Sequence, residues 1–444
     1  MENNYIKKSP VKLGATMLVL GMCWAIVYLV PFLQYTWYDP FKAYLGTSNF
    51  RMSLLLTIYG FGNVFGCPIG GWVADHFNYK WIYVLSIGLN GVFGLLFCLW
   101  PSYGFAVLVW IGFAVSSLFM NYPTHIKIVR DLASDENQGK IFGVNETCIG
   151  IGNIVISALM NVAFIKMGAG IGGIKGAIVT NAILSFVLMI LIAILLDDPR
   201  KTGMLKKKTD DSEKVNFKQD FGAVARHSET WFYALTIFAV YSFMSTLTYF
   251  TPYFTSVLGV TVVFSAWMSI FRQYGMQLVG SPIGGTISDK IKSPAKLLYL
   301  VYVLGILGFL ALLFVKSGWT VVTIIALTMF ISFFVYMARG CYYATLTEVG
   351  VPRKFSATTV GVGAMIGFSP DIFQFAMYGH WLDSVPAATA YQRIFIYQLV
   401  VLAIGFFAAT RIRKAAKKYG TANGGTYDNP KPDNAATGDT AATN

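Results

Sequence analysis

Apolar runs of about twenty residues recur along the chain, separated by short connectors that carry charge, Gly or Pro. That length is what an α-helix needs to cross the ~30 Å hydrocarbon core of a bilayer. The pattern predicts twelve spans, at 13–36, 52–74, 81–100, 105–128, 141–165, 173–196, 231–256, 263–287, 297–315, 319–343, 357–381 and 391–411. Between 197 and 230 it breaks into mixed charge, with Lys206-Lys207-Lys208 and Asp210-Asp211, which divides the spans six and six. Within that stretch, 217–226 can form an amphipathic helix along the membrane surface. Beyond Lys418 the chain turns to Gly, Ala, Asn, Thr and Asp, a composition expected to be disordered. The expected organisation is a six-helix half at 1–196, a central loop at 197–230, a second six-helix half at 231–411 and a mostly disordered tail at 412–444. Because further spans follow the first, it reads as part of the bundle and not as a cleavable signal.

Composition sharpens this picture. Of the 444 residues, 55% are hydrophobic and 12% charged, against about 25% charged in soluble chains. The net charge of +13 would suit nucleic acid if it were clustered, but its placement follows the membrane. With the N-terminus in the cytoplasm, the outer side holds only Lys42, Arg51, Lys166, Lys175, Lys316 and Arg393. Arg272 and Arg339 lie within spans, and the rest of the 34 Lys and Arg fall on the cytoplasmic side. That asymmetry assigns both termini to the cytoplasm, and Trp37, Trp72, Trp81, Trp100, Trp231, Trp319 and Trp381 at expected span ends suit an interfacial belt. The basic residues orient the chain in the bilayer; nucleic acid is not a partner. Short loops favour a bacterial inner (cytoplasmic) membrane. Five cysteines inside apolar runs give neither a disulfide framework nor a metal-ligand spacing, and no cofactor or metal is implied.

The halves repeat. Pro68-Ile69-Gly70-Gly71-x-x-x-Asp75 recurs as Pro282-Ile283-Gly284-Gly285-x-x-x-Asp289. The same shift carries Asn63 onto Gln277, Tyr122 onto Tyr336, His125 onto Arg339 and Lys140 onto Lys354. Parallel six-helix repeats are a transporter architecture. The Gly71-x-x-x-Asp75 element at the end of span two, with its weaker copy Gly285-x-x-x-Asp289 after span eight, resembles the loop signature of the major facilitator superfamily. Lys80 and Lys290 match its basic positions; its glycine turn has no counterpart. The resemblance implies an all-α polytopic fold of twelve transmembrane helices in two pseudo-symmetric halves, working by rocking-type alternating access. It also implies that Asp75 faces the start of span eleven and Asp289 the start of span five, latching the cytoplasmic side. Each aspartate ends its own helix, where the dipole disfavours an anion, so a partner elsewhere is expected on physical grounds too.

Ionisable groups within spans are costly, at least ~2.5–3.5 kcal/mol each near the centre, and four stand out: Glu146, Arg272, Arg339 and Asp371. By helical rise Arg272 and Asp371 each lie about 21–22 Å from the cytoplasmic end of their spans, and Glu146 and Arg339 about 6–8 Å. The deeper layer suits substrate. A guanidinium is permanently charged and grips carboxylate, phosphate or sulfonate bidentately, and an arginine in span eight resembles those of the superfamily's anion-handling branches. Asp371 follows Pro370, which should kink span eleven; it is either a proton carrier or a fixed counter-ion to Arg272. The shallower pair suits a cytoplasmic gate, with Glu146 a second proton-coupling candidate, and His125 reads as a satisfied polar residue. Asn63, Gln277, Tyr28 and Tyr241 are further binding candidates, with interhelical hydrogen bonds as the plain alternative. The glycines of Gly150-x-Gly152 and Gly361-x-Gly363 read as close-packing surfaces, not phosphate loops.

The reading is a secondary transporter, not an enzyme. It moves a small solute, expected to be an anion, coupled to protons or to anion exchange, and is expected to be monomeric. A proton-coupled carrier of a neutral solute such as a sugar is the alternative within transport, and a transport-inactive membrane sensor the alternative outside it. Substrate, direction and stoichiometry are not legible.

Overall fold

A computed structural model describes residues 10–132, 138–197, 222, 224–314, 320–352 and 356–431; the side chains of 10, 63–72, 74–76, 131, 138–140, 142, 356 and 357 lie outside that description. Of the helix expected at 217–226, residues 217–221 and 223 lie outside the described residues, while 222, 224 and 225 are helical.

The described chain is helical almost throughout. In order come α1 (Pro10–Leu29), a 3-10 turn (Leu33–Tyr35), α2 (Tyr38–Leu45), α3 (Asn49–His76) and α4 (Tyr79–Leu99). Helix α5 (Tyr103–Ala114) runs through a π turn (Val115–Asn121) into α6 (Tyr122–Asp131), followed by α7 (Gln138–Lys166) and α8 (Ile171–Leu195). Then come α9 (Ser228–Thr246), a 3-10 turn (Leu247–Tyr249), α10 (Phe250–Ser256) and α11 (Val262–Ile270). A second π turn (Phe271–Gly275) leads into α12 (Met276–Lys290), then α13 (Pro294–Leu313) and α14 (Val321–Arg339). A 3-10 segment (Tyr342–Glu348), α15 (Ser356–Gly367), α16 (Pro370–Ser384) and α17 (Ala387–Tyr419) complete it. Ten stretches among the described residues are long and apolar enough to cross a membrane. The other two expected spans, two and eight, are helical as α3 and as α11–α12. Among the described residues the fold is that of an all-α polytopic membrane protein, with which twelve spans are consistent.

Local chemistry sets the helix ends. Ser48, Asn78, Ser102, Thr261, Ser293 and Thr320 each accept a hydrogen bond from a backbone N–H of the turn they precede, which satisfies donors the helix cannot. Asn78 has φ −69°, so the turn between α3 and α4 needs no glycine. Span eleven breaks where Pro370 predicts: α15 stops at Gly367 and α16 starts at Pro370, the first-turn position where a missing N–H costs nothing.

By packing, the described residues form two compact units. One comprises those of Met1–Thr209, Ser245–Val279 and Pro370–Ile394, the other those of Asp210–Met244, Gly280–Ser369 and Phe395–Asn444. In the first, α1 crosses α7 closely: a methyl at Gly152 would meet Met22 Cα at 2.9 Å, and one at Gly21 would strike Cys148. Small residues are what let backbones approach inside a membrane. In the second, Gly284 sits against the Met337 backbone and Gly340 against that of Ser281, joining α12 to α14. Gly150 and Gly363 likewise face neighbours (Leu278; Tyr233 and Ile237), whereas Gly361 faces open space, so the close-packing reading holds for three of those four glycines.

The second unit is tied at one end by Glu348. Its carboxylate accepts from Ser293 Oγ and Ala295 N, both at 3.1 Å, at the start of α13. Burial pushes this carboxyl above the usual range, opposed by those two bonds and by nearby Arg413 and Lys296. Order also extends past the expected span twelve. α17 continues to Tyr419, and residues 420–431 fold back, with Tyr427 N donating to Gly350 O at 2.8 Å and its ring stacked on His227 at 3.7 Å. Residues 419–431 of the expected disordered tail are thus ordered, and the rest of it, 432–444, lies outside the described residues.

Replacing Gly152 with Leu should overpack the α1–α7 crossing and cost about 1–3 kcal/mol, read as a lowered thermal midpoint in detergent. Gly361→Ala should hold or raise that midpoint, since alanine is favoured over glycine in a helix by about 1 kcal/mol.

Candidate functional site

Arg272 sits in the π turn between α11 and α12 and is fully buried. The wide turn turns its side chain toward α10. There the guanidinium lies over the rings of Phe250 and Phe254, 5.7 and 5.5 Å from their centroids, and Nη2 donates to Thr251 Oγ1 at 2.8 Å. Faces of aromatic rings carry the negative end of the quadrupole, which favours a cation there. Thr251 passes the contact on, its hydroxyl donating to the carbonyl of Tyr35 at 2.8 Å. That carbonyl closes the 3-10 turn after α1. It also accepts from Ser269 Oγ at 2.6 Å and from Gln273 Nε2 at 3.5 Å, so three side chains converge on one backbone oxygen.

Asp371 stands in the first turn of α16, just past the break, and is 2% exposed. Its Oδ1 accepts from Ser245 Oγ at 3.5 Å, and α3 passes so close that a methyl at Gly60 would lie 2.7 Å from its Cβ. Below it on α16, Gln374 Nε2 donates to Thr246 Oγ1 at 3.0 Å, and Thr246 pairs with Tyr378 OH at 3.0 Å. Tyr249 OH donates to the Phe375 carbonyl at 3.1 Å and lies 3.2 Å from Ser53 Oγ of α3. Arg272 and Asp371 belong to one unit, Arg272 held against two aromatic rings and a hydroxyl and Asp371 beside a hydroxyl.

The other candidates are dispersed. Tyr28 is half-buried and packs on Trp24 at 5.2 Å. Gln277 is buried on α12. Tyr241, in the second unit, packs edge-on against Phe368 at 4.7 Å. Asn63, Gly71 and Asp75 fall on α3, their side chains outside the described residues. Gly285 is half-buried and Asp289 exposed near the end of α12. Glu146 is exposed on α7, in the first unit, and Arg339, half-buried in the second, directs Nη1 to Met244 Sδ at 3.3 Å. His125 is fully buried between Tyr83 OH (2.8 Å to Nδ1) and Asn145 Oδ1 (3.0 Å to Nε2). With that amide assignment Nε2 carries the proton and Nδ1 accepts, the satisfied polar residue expected. Thr251, Gln374, Tyr378 and Ser53 were not singled out from sequence. Polar residues in apolar spans, one helical turn from Arg272 or Asp371 or facing them, are the only signal that could have found them.

With this geometry in view, residues 13–373 match the sequence model of the Major Facilitator Superfamily. The inner membrane protein YqcE of Escherichia coli (strain K12) is 28% identical over 409 residues, covering 90% of this chain and 95% of that protein. The inner membrane protein YihN of the same organism is 27% identical over 386 residues, covering 86% and 91%. Among solved structures, the nucleoside transporter NupG superimposes with a TM-score of 0.70 at 16% identity, over 90% of this chain and 99% of that one. The inward-facing, unoccupied bacterial homologue of the human lysosomal transporter Spinster gives 0.65 at 16%, over 92% and 98%. The inward-open xylose transporter XylE of E. coli gives 0.65 at 14%, over 91% and 95%. At such identities these three speak for the fold.

Thr251→Val keeps the shape but removes both an acceptor for Arg272 and a donor to Tyr35. It should lower the thermal midpoint by the equivalent of about 1–3 kcal/mol, whereas Ser245→Ala, which loses one long bond, should shift it far less.

Proposed function

Because the chain belongs to the Major Facilitator Superfamily, a family of secondary transporters and not enzymes, we propose that its solute is a small anion anchored by Arg272. The observation that carries the reading is the burial of this guanidinium inside a membrane-spanning helix. An arginine cannot discard its charge, and holding it there is costly unless the charge is used. Carboxylate, phosphate and sulfonate each match its fork with two parallel N–H···O bonds. Asp371, in the same unit, supplies a counter-charge while no solute is bound and is released when the anion arrives. Coupling then runs either through protonation of Asp371 or Glu146, or through exchange for a second anion. Gln277, Asn63 and Tyr28, in the same unit as Arg272, are the further contacts. Gly71, Asp75 and Glu146 in that unit, and Gly285, Asp289 and Arg339 in the other, are the residues of the cytoplasmic gate.

The excess of Lys and Arg on one side supports cytoplasmic termini, and the relatives named as inner membrane proteins support that membrane. A second reading has a specific observation behind it: two of the similar folds are named as carriers of neutral solutes, xylose and nucleosides. Under it, Arg272 and Asp371 form an internal pair and the solute is uncharged.

Thermal unfolding of the purified protein, wild type and Arg272→Gln, against small carboxylates, phosphorylated and sulfonated compounds, nitrate and neutral sugars separates the two. A ligand at 100 times its Kd should stabilise by about 2.7 kcal/mol. One anion class should raise the wild-type midpoint and leave the variant unmoved. Stabilisation by neutral sugars alone, or an equal response of the variant, would sink the anion reading.

A further inference from the structure

Helices α3 and α16 run antiparallel in close register, with Asn49 beside Asp383, Ser53 beside Gly379 and Gly60 beside Asp371. A methyl at Gly379 would lie 2.7 Å from both the Asn49 carbonyl and Ser53 Oγ, so the two backbones touch at the end remote from Asp371. There the last turn of α16 caps the first turn of α3. Asp383 Oδ1 accepts from Asn49 N at 3.0 Å and Asn49 Nδ2 at 2.7 Å, and Oδ2 accepts from Phe50 N at 2.8 Å. The carboxylate of one helix thus satisfies the orphan donors, and meets the positive end of the dipole, of another more than 300 residues away in sequence.

The contact extends along the rim. Lys42 Nζ of α2 donates to Asn49 Oδ1 at 3.1 Å and lies 4.0 Å from Asp39. Asp39 Oδ2 in turn accepts from Thr255 Oγ1 at the end of α10. Two carboxylates on this rim, one from each sequence half, therefore each hold an element of the other half, with Lys42 and Asn49 bridging between them.

We propose that Asp39, Lys42, Asn49 and Asp383 are a polar latch, on the side one crossing from the N-terminus, that biases alternating access toward the state in which this side is closed. The latch works whatever the solute is. For this side to open, α16 must leave the start of α3, and the Asp383 bonds are the ones broken first, being at the exposed end. It is distinct from the Gly-x-x-x-Asp elements, which lie at the opposite ends of α3 and α12.

Spin labels at Ala43 and Ala388, in protein whose native cysteines are replaced by serine, report the width of this rim. Asp383→Ala should raise the long-distance population relative to the short one by about two- to fivefold, the scale of an exposed charged contact. Lys42→Met and Thr255→Val should move it the same way by less. Asp383→Asn, which keeps one acceptor oxygen, should fall between parent and alanine variant and serves if the latter does not fold. Distance distributions that superimpose on the parent's in the aspartate variants, with native elution and helical content, would overturn the latch.

Discussion

Hydrocarbon offers no partner for a hydrogen bond, so every irregular stretch of backbone in this chain must be answered by another part of it. The 3-10 turn after α1 ends in the Tyr35 carbonyl, which is met by Thr251, Ser269 and Gln273. Ahead of the π turn between α5 and α6, Ser116 and Ser117 both donate to the Phe113 carbonyl, at 3.1 and 2.6 Å, and Tyr59 OH reaches Ser117 at 2.6 Å. At the break in span eleven the polar chemistry comes from Ser245, Thr246 and Gln374. Irregular backbone and buried polar side chains coincide because neither can be left alone. The places where a helix departs from regularity are thereby also the places where it can hold Arg272 and Asp371.

A second consequence concerns packing. Lipid tails are as apolar as leucine, so helices gain little by hiding apolar surface from them. What remains is close approach and shared hydrogen bonds. Gly21 and Gly152 supply the first for α1 and α7, and Gly284 and Gly340 for α12 and α14. Asn90 and Asn181 supply the second, Asn90 Nδ2 donating to Asn181 Oδ1 at 3.2 Å while Asn181 Nδ2 donates to the Ile26 carbonyl at 3.1 Å. Both devices demand particular residues at particular depths, which is why glycine and asparagine recur inside runs otherwise built from leucine, isoleucine and phenylalanine.

These causes also divide what the sequence discloses from what it does not. The apolar spans, the break at Pro370 and most glycine contacts are legible, because hydropathy, the proline ring and the missing Cβ act locally. Of the four charges expected within spans, Arg272 and Asp371 are buried, while Glu146 is exposed and Arg339 half-buried. Thr251 and Gln374 are not legible, since a hydroxyl or amide in a span reads identically whether it bonds its own helix or one far away in sequence. The π turns leave no hydropathy signal at all. Order beyond Lys418 was hidden by composition. A polar stretch with two tyrosines can still fold when Tyr419 finds Glu229 at 2.8 Å and Tyr427 finds His227, and no window average weighs two anchors against a dozen polar residues.

The polar contacts fall into two energetic classes, and a transporter needs both. Around Arg272 and Asp371 the partners are buried, so a bond lost there leaves a desolvated group unsatisfied, at about 1–3 kcal/mol or more for a charge. Such contacts change only when something equally polar replaces them. At the rim, Asp383 and Asn49 face water, which can take over each bond as it breaks, so the net cost of parting is small. Bonds of this second kind bias an equilibrium without freezing it. Both kinds meet on α16, where Asp371 is buried and Asp383 exposed, so one helix carries a contact that is costly to break and one that is not.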